Sequence, residues 1–430
     1  MKKLFIPIIA LSLFTGCTHE VQTLPASVKT PLMTGTTVPD SIPVLSNKTN
    51  VKPPDNLIFD TPETVEIYDY LTIEEFVKKS NVEILNGDRL LDTSSMGEHE
   101  VYINCRYSEG EFQQKVTYTV ADTTPPTLFN MGNSPYVTKG TEFDLKQLVG
   151  YGDNYDPVPN LTYEGEVNTE EIGNYPIEVH VTDSSGNETS WNMTVVVLSE
   201  TPSYEFNGEW TPDYSDGTPF NEFVEKYSGD NVKLGIDVST WQGDIDFNAV
   251  KNAGCEFVII RMGHFYDEIK QDDWYAENIR KAKEAGLEVG IYFYTTLHTA
   301  EGVKELAEYI NETLDGEELD FPVAFDWEEF STFQEYNISL HELNELFNLF
   351  CAEMENYGYS AMLYSSKNFL LNTWMNNYNE PVWLAHFTDE TDYTGDYFMW
   401  QASSTGLIEG IEGYVDTNIL YTDRFEEIKK

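Results

Sequence analysis

The sequence predicts a multidomain chain in which two small all-β sandwiches precede an irregular β/α barrel. Three observations predict it. Strand patterns recur at a spacing near 76 residues between about 58 and 198, short strands alternate with helices from about 232 onward, and a Thr/Pro-rich stretch without Phe, Trp or Tyr precedes both. The length of 430 residues leaves room for about three domains. A hydrophobic fraction of 40% with 14% aromatics is enough for packed cores. The 25 Lys+Arg face 74 Asp+Glu, a formal charge of −49. Nucleic acids and anionic membrane surfaces are bound through Lys and Arg, so this balance speaks against both as partners.

The chain opens with two lysines, an apolar run from Leu4 to Phe14, and Thr15-Gly16-Cys17, the pattern of an export signal. The run is shorter than the roughly 20 residues needed to span a bilayer. Cys17 directly after Gly16 resembles a bacterial lipobox, with Phe14 where Leu is more usual. That resemblance implies a signal peptide over 1–17, a lipid on Cys17, membrane contact through this anchor alone, and folded domains that face the cell wall from outside the membrane. Residues 18–57 are expected to be a disordered tether, because a stretch without aromatic residues cannot bury enough surface to offset chain entropy.

Two β units follow, over 58–122 and 123–199. Val101 to Cys105 and Ile177 to Val181 alternate with period two, and Thr93 and Gly97 recur 76 residues later as Thr169 and Gly173. Such a spacing fits a duplicated domain and is too long for a solenoid unit. Asp153-Asn154-Tyr155-Asp156-Pro157 and Thr182 to Asn187 in the second unit resemble the immunoglobulin-like modules of bacterial surface proteins; the first unit carries the resemblance more weakly. A spacer role is expected for both. Asp153, Asn154 and Asp156 read as a solvated turn in preference to a calcium site.

A polar connector over 200–231 leads to the barrel, 232–430. Its strands are expected at Leu234 to Val238, Phe257 to Met262, Val289 to Thr295, Val323 to Trp327, Ala361 to Ser365, Val382 to Phe387, Phe398 to Ala402 and Val415 to Leu420. Helices are expected from Trp274 to Ala285 and from Ser339, where Glu342 completes a capping box and Leu343, Leu346, Phe347, Phe350 and Met354 share one face. Gly254, Gly286 and Gly358 each part a helix from the next strand. Eight strands alternating with helices suggest a mostly parallel sheet closed on itself, distorted where the last helices are short or missing.

Asp237 ends the first strand, Asp326 and Glu328 end the fourth, and Asp416 lies in the eighth, which becomes a neighbour of the first on closure. Four acids would then meet at one mouth. Like charges so close cannot all ionise freely, so at least one carboxyl stays protonated near neutral pH, as glycosidic cleavage requires. Tyr292, Tyr294, Tyr364, Trp383, Trp400 and Gln401 are the candidate sugar-binding side chains, since aromatics stack on sugar faces and offer polar edges.

At these residues the chain resembles glycoside hydrolase family 25, the lysozymes or muramidases. The resemblance rests on Gly235 to Gly243, Phe257 to Arg261, Ala285 to Tyr294, Phe325 to Glu328 and Gly413 to Asn418, in family order. It implies an irregular TIM-like barrel and cleavage of the β-1,4 bond after N-acetylmuramic acid in peptidoglycan glycan strands. Its acidic positions fall on Asp237, Asp326, Glu328 and Asp416, and His386 departs from its usual pattern. The expected mechanism has Glu328 as acid and then base, Asp326 steadying the substrate's 2-acetamido group as nucleophile, Asp237 and Asp416 holding the saccharide and tuning Glu328, and no metal or other cofactor. A non-catalytic wall-binding surface lipoprotein, and a hydrolase of another acetamido polysaccharide such as chitin, remain as other readings.

Cys105, Cys255 and Cys351 are expected to be free thiols rather than catalysts. His264 and His298, after the second and third strands, are expected to line the groove rather than bind metal.

Overall fold

A computed structural model describes residues 51–129, 135–200, 215–374 and 380–428. The leader, Cys17 and most of the expected tether lie outside the described residues. No described helix is long and apolar enough to cross a membrane.

The two β units share one topology. In the first, a four-stranded sheet runs in the order Thr64–Glu66, Gly110–Ala121, Gly97–Tyr107, Glu83–Ile84. In the second the order is Tyr136–Thr138, Glu188–Leu198, Gly173–Thr182, Asn160–Glu164. In both, the first strand pairs parallel and the others antiparallel. A separate antiparallel pair accompanies each sheet: Phe59–Asp60 with Lys79–Ser80, and Thr127–Leu128 with Tyr151–Gly152. Gly97 and Gly173, the equivalent positions in sequence, open the equivalent strands. Alternation decides the burial: Ile103 and Cys105 point into the first core, Ile177, Val179 and Val181 into the second.

The barrel strands, labelled separately here, are β1 Val232–Val238, β2 Phe257–Phe265, β3 Glu288–Tyr294, β4 Val323–Asp326, β5 Ala361–Ser366, β6 Val382–Ala385, β7 Met399–Leu407 and β8 Val415–Tyr421. β1 to β7 pair as parallel neighbours, while β8 runs antiparallel between β1 and β7 and closes the barrel. A two-residue step along a strand returns a side chain to the same face. Phe257 and Ile259 of β2 therefore fill the barrel interior with Met362, Trp383 and Met399, whereas Val258 and Ile260 meet the surrounding helices.

Those helices are α1 Phe247–Asn252, α2 Tyr275–Glu284, α3 Ala300–Leu314, α4 Leu340–Asn356 and α5 Lys367–Asn372. No helix separates β6, β7 and β8. The Ser339–Glu342 capping box forms at α4 as its sequence dictates. Gly358, at φ 87°, ends that helical segment in the left-handed region.

The expected connector needs correction in its second half. Thr218–Pro219 pairs with β7, and the helix Phe220–Tyr227 buries Phe220 and Phe223 in the barrel core. Phe220, Phe223, Val224 and Tyr227 recur at helical spacing, so an apolar face is present within a stretch whose average composition is polar.

The second β unit docks on the barrel at the segment following β4. Phe129 enters the barrel core, with ring centroids 5.1 Å from Phe330 and 5.8 Å from Phe333. Gln334 accepts from the Tyr151 amide at 3.2 Å and donates to the Lys146 and Val149 carbonyls. The first unit reaches the barrel too: the Tyr68 ring stacks on His341 at 3.6 Å.

Candidate active site

The barrel's parity determines which side chains meet at the mouth. On β1, Ile236 and Val238 pack outward and Asp237 points inward. On β4, Phe325 packs outward and Asp326 inward, in register with Tyr294 of β3 and Tyr364 of β5. Asp237 pairs with Asp416 across β1 and β8. Because β8 is antiparallel, Asp416 reaches the same mouth from the beginning of its strand. Glu328 follows two residues after Asp326, beyond the strand end.

Asp237 is the best-held acid. Its Oδ2 accepts from Gln401 Nε2 at 2.9 Å and from Asn418 Nδ2 at 2.7 Å. Both donors are themselves fixed. Tyr364 Oη donates to Gln401 Oε1, and Trp383 Nε1 donates to Asn418 Oδ1, each at 2.8 Å. Burial raises Asp237 to about 6, although these two hydrogen bonds pull the other way. Asp326 is buried, with one carboxylate oxygen lacking a hydrogen-bond partner. Burial, then the charges of Glu328 and Asp237, push it well above the ordinary carboxylate range, and Arg261 offsets part of this. Burial and Asp237 act likewise on Asp416. Glu328 is raised to about 7 by burial, then by Asp237 and Glu329. The cleft therefore holds a carboxyl able to keep its proton near neutrality beside groups that share negative charge.

Arg261 is pinned by Asp272, whose Oδ2 lies 2.7 Å from Nη2 and also accepts from the Thr240 amide at 2.9 Å. This buried pair ties the turn after β1 to β2 and sets one positive charge in the cleft wall.

The candidate sugar-binding residues divide. Tyr294 and Tyr364 flank Asp326 in register, Tyr364 reaches Asp237 through Gln401, and Tyr292 packs on the barrel interior two residues before Tyr294. Trp383 is buried beneath them, edge-on to Tyr364 at 4.6 Å, and supports the floor instead of offering a face. Trp400 is a correction. Met399 and Gln401 face inward, so Trp400 between them faces outward, where it stands edge-on to Tyr227 and donates to the His386 carbonyl. Sequence reasoning also missed Asn418, Arg261 and Asp272, and an exposed aromatic rim of Trp241, Tyr266 and Phe387 just beyond β1, β2 and β6. The available signal was their position: aromatics immediately after strand ends of a barrel lie at its mouth.

His264 sits against the rim with its ring 5.1 Å from Tyr266, and His298 contacts the Thr296 carbonyl and the Tyr336 ring. His386 Nδ1 lies 2.9 Å from Thr391 Oγ1. Cys105 and Cys255 are buried free thiols and Cys351 a partly buried one; burial raises all three above the ordinary thiol value.

Comparison with known proteins adds two family matches. Residues 129–197 match the family described as bacterial surface protein, Ig-like domain, and residues 236–411 match glycosyl hydrolases family 25. The chain is 30% identical over 186 residues to the autolytic lysozyme of Clostridium acetobutylicum, covering 42% of this chain and 54% of that protein. It is 29% identical over 200 residues to lysozyme M1 of Streptomyces globisporus, covering 43% and 66%. It is 30% identical over 192 residues to the uncharacterized protein YegX of Escherichia coli O157:H7, covering 43% and 68%. The chain thus spans about half the length of the clostridial relative and about two thirds of the other two. Through its C-terminal barrel, the chain belongs to glycosyl hydrolases family 25.

Proposed function

We propose that this protein is a peptidoglycan hydrolase of the lysozyme class, cleaving the β-1,4 bond between N-acetylmuramic acid and N-acetylglucosamine. The observation that carries this is the convergence of Asp237, Asp326, Glu328 and Asp416 at one mouth, with Glu328 raised to about 7. The names of the clostridial and streptomycete relatives support the same substrate.

Glu328 protonates the glycosidic oxygen as the bond breaks, then takes a proton from the incoming water. Asp326, whose free oxygen faces no donor of the protein, receives the N–H of the substrate's 2-acetamido group. It thereby steadies the acetamido carbonyl oxygen as it attacks the anomeric carbon, giving an oxazolinium intermediate in place of a glycosyl-enzyme ester. Asp237 stays fixed by Gln401 and Asn418 and, with Glu329 and burial, keeps Glu328 protonated. Tyr292, Tyr294 and Tyr364 line the saccharide's path. The first β unit is a second immunoglobulin-like module, since its strand order and directions repeat those of the matched unit. The leader ending at Cys17 supports attachment to the bacterial membrane by a lipid, with the barrel acting on the wall outside.

The test is release of muropeptides from purified peptidoglycan, with mass spectrometry of the new reducing ends and chitin as a parallel substrate. Wild type is expected to leave N-acetylmuramic acid at the reducing end, and Glu328→Gln to release at least a hundredfold less. Equal release by Glu328→Gln removes Glu328 from the chemistry. Faster release from chitin overturns the substrate.

A further inference from the structure

We propose that Asp122, Asp156 and Asp183 form a binding site for a hard divalent cation of the calcium type, where the first β unit meets the second. The sequence places these acids far apart, but the fold gathers one carboxylate oxygen of each within 4.8 Å of the others. Asp122 follows the last strand of the first unit. Asp156 lies in the loop after Tyr151–Gly152, and Asp183 begins the turn after Gly173–Thr182.

Burial distinguishes this cluster from a surface acidic patch. Asp122 is only 4% exposed, and beyond the Ser185 hydroxyl its carboxylate has no hydrogen-bond donor. Asp183 is 7% exposed. Beside them Asp153 is 1% exposed, with its Oδ1 also unpartnered. Among the described residues, no Lys, Arg or His forms an ion pair with any of the four. A buried carboxylate with no paired cation and too few donors resolves its charge by taking a proton or a metal ion. Burial raises Asp122, with a nearby Ser185 hydroxyl lowering it in part and Asp183, Glu66 and Asp156 raising it further; burial takes Asp153 to about 6.

The remaining oxygens are already aligned. Asp183 accepts from the Asn187 amide at 2.8 Å and from Asn187 Nδ2 at 2.7 Å. Asp156 accepts from the Ser184 amide at 2.6 Å and from Ser184 Oγ at 3.0 Å. Two loops of the second unit are thereby held against each other, with Asp122 of the first unit aimed at them. The donor set is all oxygen, which suits calcium over zinc or copper, and water completes the shell of six to eight ligands. A bound ion would lock the two units together. It would also steady the barrel contact, because the Asp153 carbonyl accepts from the Leu340 amide at the start of α4 at 2.7 Å.

The test is calorimetric titration of CaCl2 into the EDTA-treated full chain, with thermal melting in parallel. One site with Kd near about 0.1–1 mM is expected, in the range of extracellular calcium modules, together with a rise in Tm. Asp122→Asn should abolish the heat and the calcium-dependent rise while melting no lower than calcium-free wild type, because it removes a buried charge. Asp156→Asn, at a less buried position, should weaken binding at least tenfold and serves as the deciding variant if Asp122→Asn does not fold. No heat up to 10-fold above that Kd range, or unchanged affinity in Asp156→Asn, overturns the site.

Discussion

Replacing Gln401 by Met tests how the cleft divides its charge. Met keeps the length of the side chain and removes only polar atoms. The loss is one hydrogen bond to the Asp237 carboxylate, at 2.9 Å, and the acceptor of the Tyr364 hydroxyl. A hydrogen bond to a charged group contributes about 1.5–3 kcal/mol, which is roughly one to two pKa units. Asp237, at about 6 in the wild type, should therefore move to about 7–8. In the proposed mechanism the productive form has Asp237 ionised and Glu328 protonated, and wild type holds it best between about 6 and about 7. With Asp237 raised level with Glu328 or past it, that form becomes a minority at every pH. The kcat/KM for muropeptide release should fall roughly two- to tenfold, with the acid limb of the pH profile displaced upward by about one unit. KM should change little if Gln401 acts through Asp237. A profile that keeps its shape while KM rises would refute this reasoning and make Gln401 a direct sugar contact.

Two further outcomes follow from the same structure. Glu328 rises from 4.5 to about 7 on folding, so its contribution to stability is full below about 4.5 and is lost as pH rises through about 7. Wild type should melt higher at pH 5 than at pH 8, and Glu328→Gln should gain about 2–3 kcal/mol over wild type at pH 8 and nearly nothing at pH 4, read by urea unfolding at the two pH values. Gly150→Ala lies in the second β unit, yet its Cβ would sit 2.0 Å from the Phe330 carbonyl oxygen, two residues beyond Glu328. It should cost about 1–3 kcal/mol and lower kcat between tenfold and a hundredfold with KM nearly unchanged; unaltered kcat would show that this contact does not position Glu328.

The legible features were those governed by local periodicity. Short β-rich runs between helical segments marked the eight barrel strands, and the capping box and apolar face at Ser339 marked α4. Closure alone brought Asp237 to Asp416, and the register confirms the pairing, although the reversal of β8 left no trace in its composition. The features missed were relations between distant segments. Trp400 was assigned to the groove because its type suits sugar, whereas the inward position of Gln401 assigns it to the outer face. Phe220 and Phe223 were masked by the polar average around them. Asp122 and Asp183 lie 34 and 27 residues from Asp156 in sequence, so their approach to it left no local signal.

The junction between the arm and the barrel changes what the β units are for. A spacer needs only to be long, and its contacts with the enzyme need not fall anywhere in particular. Here those of Phe129, Gly150 and Tyr151 fall on the segment directly after Glu328, while Tyr68 and Asp153 meet the start of α4. The Phe330 amide donates to the Glu328 carbonyl at 2.9 Å, Phe330 then meets Phe129 and Gly150, and Gln334 is held from both sides by the backbone of the second unit. Loops on barrels carry catalytic groups but are the least rigid part of the scaffold, and small displacements there are costly to rate. Burying Phe129 in the barrel core gives that loop a second wall. The contact of the second β unit therefore lies two residues beyond the proposed acid, and the kinetics of Gly150→Ala decide whether the two are coupled.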